Sequence, residues 1–163
     1  MSTQGQGYVL GGTEGEHLIR SGAAGISGGA SNPVGGIVCI KVDPSKGSTG
    51  MSLGTQRVPI GVGIRVHRHH VIDEVLFVLE GTGIGILEDT RIPIAKDSTI
   101  YIPKGVWHGI ENPDSDLVLL WVASPPGLEA LFRAISSAPG APPKNFTPVQ
   151  LKEIAQRHQQ EFR

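Results

Sequence analysis

Three of the six histidines in this 163-residue chain fall within four positions, His67-Arg68-His69-His70. Alternate side chains of a strand share a face, so His67 and His69 point the same way with Cα atoms roughly 6 to 7 Å apart. That spacing lets two imidazoles converge on one ion. Glu74 follows after HVID, at the head of the run EVLFVLEG, where it can return on a neighbouring strand facing the same interior. His108 stands after the turn Pro103-Lys104-Gly105, at the head of another strand. Three imidazoles and a carboxylate form a nitrogen and oxygen donor set that suits iron, manganese, nickel, cobalt, copper or zinc better than calcium or magnesium. An isolated His-x-His is also what an exposed polar strand carries, so spacing alone leaves both meanings open.

Two neighbours follow from the same parity. His70 is out of phase and belongs on the outer face or a turn. Arg65 is in phase with His67 and His69, provided no bulge intervenes. An inward arginine needs a partner. Arg65 is therefore a candidate substrate-binding residue for a carboxylate, enolate or phenolate, or else it meets an interior acid or leaves at the barrel rim.

The elements that must position these residues are strands. From Gly36 onward the chain consists of β-branched runs, GIVCIKV, VPIGVGIRVHRHH, EVLFVLEG, GIGILED, TIYIP and LVLLWVAS, separated by Gly, Pro, Asp and Asn. Six to eight strands with no helix between them predict an all-β sandwich or barrel. The 23 glycines and 12 prolines suit its turns. After Pro126 the period changes. Leu128, Leu131, Phe132 and Ile135 recur at helical spacing, and Thr147-Pro148 with Gln150 forms a capping-box start for a second helix through about Gln160. Residues 1–35 read as an arm with short strands, 36–124 as the barrel and 125–163 as a helical extension. The Gly-rich run GISGGASNPVGG lacks the Gly-Lys-Ser/Thr ending of a phosphate loop.

Composition excludes several classes of function. A net charge of −1 with 18% charged residues provides no basic field for nucleic acid or an anionic membrane. Cys39 is the only cysteine, which removes intrachain disulfides and cysteine-based zinc sites. The start of the chain has no signal-peptide pattern, so a cytoplasmic setting is expected.

Two segments carry a family resemblance. GVGIRVHRHHVIDEVLFVLEG, from Gly61 to Gly81, resembles the first cupin motif: Gly, five residues, His-x-His, four residues, Glu, six residues, Gly. DSTIYIPKGVWHGIEN, from Asp97 to Asn112, resembles the second, with Asp97 where the family has Gly. The resemblance implies a cupin double-stranded β-helix, or jelly-roll barrel, with short C-terminal α-helices. It also implies metal ligands at His67, His69, Glu74 and His108, with Gly81, Pro103 and Gly105 as turn formers. One divalent transition metal per chain is expected, iron, manganese, nickel or cobalt ahead of zinc or copper, because four protein ligands leave an octahedral ion two open positions. The quercetinase-like cupin dioxygenases suggest an oxygenase acting on a small enolic, aromatic or acidic substrate, with Glu74 as a catalytic base. Alternatives are a metal-dependent isomerase, decarboxylase or lyase on a sugar acid or keto acid, and a binding cupin without turnover. A homodimer is expected, through sheet faces and edges.

Overall fold

The structure, a computed structural model, describes residues 6–20, 36–112 and 114–163. The Gly-rich run lies outside these except for Gly36. The described strands are β1 (Glu16–Arg20), β2 (Ile37–Val42), β3 (Ser52–Val58), β4 (Ile64–His69), β5 (Asp73–Glu80), β6 (Thr82–Leu87), β7 (Thr90–Ala95), β8 (Thr99–Ile102), β9 (His108–Glu111), β10 (Leu117–Ser124), β11 (Ser136–Ser137) and β12 (Gln160–Phe162). The helices are α1 (Leu128–Ile135) and α2 (Pro148–Arg157). Seven strands form one sheet in the order β11-β1-β2-β3-β10-β5-β8, and five form a second in the order β12-β4-β9-β6-β7. Every pairing is antiparallel, and the two sheets make the expected jelly roll.

Period-two burial explains the sandwich. Strand β3 buries every second residue from Ser52, and β10 does so from Leu117, so each strand gives one face to the interior. Trp121 is 1% exposed and meets Phe132 of α1 edge-on, with ring centroids 5.3 Å apart. The helix thus seals the barrel with the face read from its spacing.

The strand count exceeds the six to eight expected for physical reasons. The run VPIGVGIRVHRHH breaks between Val58 and Ile64 into β3 and β4. Strand β7 contains Pro93, which discourages a strand assignment but is tolerated on an edge, where a missing N–H opposes nothing. The last strand replaces the end of the expected second helix. Helix α2 opens with both halves of the Thr147–Gln150 capping box, yet it stops at Arg157. Gln159 is left-handed at φ 57°, and the chain then pairs with β4.

Two motif turns show why their residues are what they are. Asp97 sits at φ 70°, a conformation glycine adopts freely and aspartate tolerates, which accounts for Asp in place of Gly. Gly81, between β5 and β6, has φ 86°, and a Cβ there would lie 2.0 Å from the Asp116 carbonyl oxygen. Gly81→Ala is accordingly expected to destabilise the fold by about 2 kcal/mol or more. Chemical denaturation checks this, and an unchanged midpoint would contradict the steric account.

Candidate metal centre

The two sheets each contribute part of one cluster. Strand β4 carries His67 and His69, and its register with β9 sets His67 opposite His108. The three rings lie close, with centroids 4.2 to 5.0 Å apart. Glu74 reaches them from β5 in the other sheet, its Oε2 3.1 Å from His69 Nε2 and 3.2 Å from His108 Nε2. One donor atom from each of the four residues lies within 4.8 Å of all the others. Two donors at right angles, each about 2.1 Å from an ion, stand about 3.0 Å apart, so these separations fit a shared metal. His67 is 9% exposed and the other three are 5% or less.

The ring nitrogens facing away from the cluster define its chemistry. His67 Nδ1 lies 2.8 Å from the Arg65 carbonyl and His108 Nδ1 3.0 Å from the Val106 carbonyl. A carbonyl only accepts, so in the neutral rings Nδ1 carries the proton and Nε2 keeps its lone pair. His108 Nε2 is buried and has no hydrogen bond to any described residue. An orphaned lone pair aimed at a carboxylate is what a cation would satisfy. His69 Nδ1 stands 2.6 Å from the side-chain amide of Gln160 on β12. With the amide oxygen turned to the ring, Nδ1–H donates and Nε2 is free to ligate. With the amide nitrogen there, His69 donates from Nε2 to Glu74 instead.

The site favours the deprotonated forms that metals bind. Burial, with His108 and His69 beside it, holds His67 well below its ordinary 6.5. Burial alone would raise Glu74, but in the metal-free cluster His108 and His69, where they turn an Nε2 proton toward it, outweigh burial and hold the carboxyl below 4.5; a bound cation would take the place of those protons. The sign is the same for both residues. The unfolded chain takes up protons below 6.5 at His67, and then below 4.5 at Glu74, where the folded chain still resists. Stability therefore falls as pH falls. Metal-free protein is expected to lose thermal stability first below about pH 6.5 and again below about pH 4.5. A melting temperature that stays flat from pH 8 to 5 would contradict this electrostatic account.

The structure brings His67, His69, Glu74 and His108 together, and leaves His70 exposed, as parity requires. The inward orientation expected for Arg65 needs correction. The β4–β9 register shifts between Ile64 and His67, and this irregularity takes Arg65 out of phase. Arg65 is exposed, its Nε donates to the Arg163 carbonyl at 3.0 Å, and its guanidinium lies over Phe162. Three polar residues near the centre were not singled out from sequence: Arg20, Gln56 and Gln160, all buried and all lining the cavity that holds His67, Glu74 and His108. Leu18 and Arg20 share strand parity, which was the available signal for Arg20. Gln160 lies in a polar tail whose pattern gives no such signal.

Known proteins agree with this architecture. The family model described as Cupin domain matches residues 54–123, the segment holding all four candidate ligands. An uncharacterised protein of Methanocaldococcus jannaschii is 38% identical over 61 residues, which cover 37% of this chain and 49% of that protein. An uncharacterised protein of Streptomyces coelicolor is 33% identical over 76 residues, 47% of this chain and 71% of that one. The chain thus spans about half the length of the first relative. Among solved structures, the polyketide cyclase RemF of Streptomyces resistomycificus superposes with a TM-score of 0.62 over 90% of this chain and 92% of its own, at 17% identity. That likeness concerns the fold. With the family match and the jelly roll in agreement, the chain belongs to the cupin superfamily.

Proposed function

We propose that this cupin is a metal-dependent enzyme acting on a small acidic or enolic organic substrate, with dioxygen as co-reactant. The observation that carries the proposal is the buried convergence of three imidazoles and one carboxylate within 4.8 Å. Four ligands would leave an octahedral ion two open positions, which favours iron, manganese, nickel or cobalt over closed tetrahedral zinc. A metal held there would supply Lewis acidity toward a substrate oxygen and, if redox-active, a path for electrons to dioxygen.

The chain's own groups have separate tasks. His67 and His108 are fixed by the Arg65 and Val106 carbonyls, so their Nε2 atoms need no reorganisation to ligate. Gln160 orients His69. Glu74, once off the ion and away from the His69 and His108 nitrogens that hold its pKa down, would accept a proton from a substrate hydroxyl or α-carbon. The same base supports a second proposal, isomerisation, decarboxylation or lyase chemistry on a sugar acid or keto acid, because proton abstraction needs no oxidant. The complete ligand set disfavours binding without turnover.

Protein expressed without added metal is expected to carry about one transition-metal ion per chain by elemental analysis. His69→Ala should lose most of it while keeping a cooperative melt, since the barrel core stands without the ion. An apo protein that unfolds would make the metal structural instead. Gln160→Leu should weaken metal affinity about ten- to a hundredfold, whereas Gln160→Glu, which keeps an acceptor for His69 Nδ1–H, should retain it. Equal affinities in both variants would remove Gln160 from the centre. Oxygen consumption with a panel of enols, catechols and keto acids tests the oxygenase proposal. Turnover undiminished under argon would sink it in favour of the second.

A further inference from the structure

The interior of the barrel holds a second polar group set besides the ligands. Arg20, at the end of β1, is 4% exposed and lines the same cavity as His67, Glu74 and His108. Its guanidinium lies over the Phe132 ring, 5.5 Å from the centroid. Burial lowers its pKa to about 10, and Glu74 opposes that lowering, so the group stays charged at neutral pH.

Gln56 adds an independent observation. Its strand neighbours on the inner face are Val38 and Leu119, both 0% exposed, and Gln56 itself is 5% exposed. Its Nε2 is buried with no hydrogen-bond partner among the described residues. An apolar side chain would serve the core better at this position, because an unmet buried amide is destabilising. A buried, unmet donor and a buried cation that line one cavity with a cluster of metal-ligand type suit an anion with two or more acceptor oxygens.

We propose that Arg20 and Gln56 form an anion subsite facing the metal centre, and that its ligand is a short-chain organic carboxylate lying between the two. This rests on the metal-centre proposal above, and it narrows the substrate to an acid. The cavity sets the size. It is small and closely lined by side chains, so a short acid fits where a bulky aromatic does not. One carboxylate oxygen meets the Arg20 guanidinium and Gln56 Nε2, while the other end of a two- or three-carbon acid turns toward His67, Glu74 and His108.

The test is calorimetric titration of the protein loaded with manganese, using pyruvate and its neutral counterpart 2,3-butanedione. Pyruvate is expected to bind at least about tenfold more tightly than the diketone, and Arg20→Met to weaken pyruvate about ten- to a hundredfold. Gln56→Leu should weaken it about three- to tenfold while leaving the melting temperature unchanged or higher, since the lost amide nitrogen has no partner among the described residues. A purely structural Gln56 predicts the reverse, lower stability with unchanged affinity. Arg57→Met, one residue along β3 from Gln56 but exposed beside Asp116, should leave pyruvate affinity unchanged. Should Arg20→Met fail to fold, Arg20→Lys and Gln56→Leu decide the matter. Metal bound at full stoichiometry with pyruvate affinity equal in wild type and variants, or with no preference for pyruvate over the diketone, would overturn the subsite and leave the metal centre standing. No metal uptake would instead overturn the metal centre. Pyruvate titration of metal-free protein then decides the subsite, with binding lost in Arg20→Met supporting it and absent binding overturning it.

Discussion

A buried carboxylate between two sheets is the constraint around which the rest is arranged. Glu74 leaves water on a strand of the seven-stranded sheet, and an ionised group so placed is destabilising unless polar partners meet it. Its partners come from the other sheet, as two imidazole nitrogens within 3.2 Å of one oxygen. That requirement ties the registers together. Strand β4 must present His67 and His69 inward, β9 must bring His108 level with His67, and β5 must face them across the core. A slip of one residue in any of these strands would turn a ligand outward, so the polar cluster specifies the sandwich as much as the apolar core does. The same arrangement explains why the cluster is suited to a cation. With their Nε2 lone pairs turned inward, the three rings and the carboxylate would together make a cage for a cation.

The register irregularity between β4 and β9 shows how local geometry decides function. Gly109 follows His108, and a Cβ there would lie 2.8 Å from the Ile64 carbonyl and 3.2 Å from Val66. Glycine at that point lets β9 approach β4 closely enough to align His108 with His67. The extra residue in β4 breaks strict alternation ahead of the histidine pair, which leaves Arg65 exposed. One bulge therefore separates the ligand pair, which keeps its parity, from the arginine two residues earlier.

Legibility followed the range of the interactions. The ligand set could be read because His-x-His, Glu and His fall at strand positions with fixed spacing, within a segment of about fifty residues. The α2 cap was legible for the same reason, since its two partners are three residues apart. Arg65 was misplaced because the bulge depends on a neighbouring strand more than forty residues away, and no local pattern announces it. Strands β11 and β12 were invisible because two or three residues have no periodicity, and their pairing energy comes from partners distant in sequence, β1 and β4. Gln160 carries no mark in its own neighbourhood. Its meaning lies 91 residues away, at His69.

That division bears on where specificity can reside in this fold. The segment matched to the cupin model, residues 54–123, contains every candidate metal ligand, and so it can define a centre but not by itself a substrate. Gln160, which orients His69, lies after that segment, and Arg20, the buried cation facing the centre, lies before it. Both are brought in by terminal strands, β12 pairing with β4 and β1 pairing with β2. Such flanking strands can change length and sequence without disturbing the ligand registers, because they join the outer side of strands whose inner partners are already set. Proteins sharing the central motif can then differ in the groups that face the metal. A likeness of fold at 17% identity accordingly leaves the substrate to be read from Arg20 and Gln56 themselves, because these side chains, and not the barrel, determine which charge the cavity accepts.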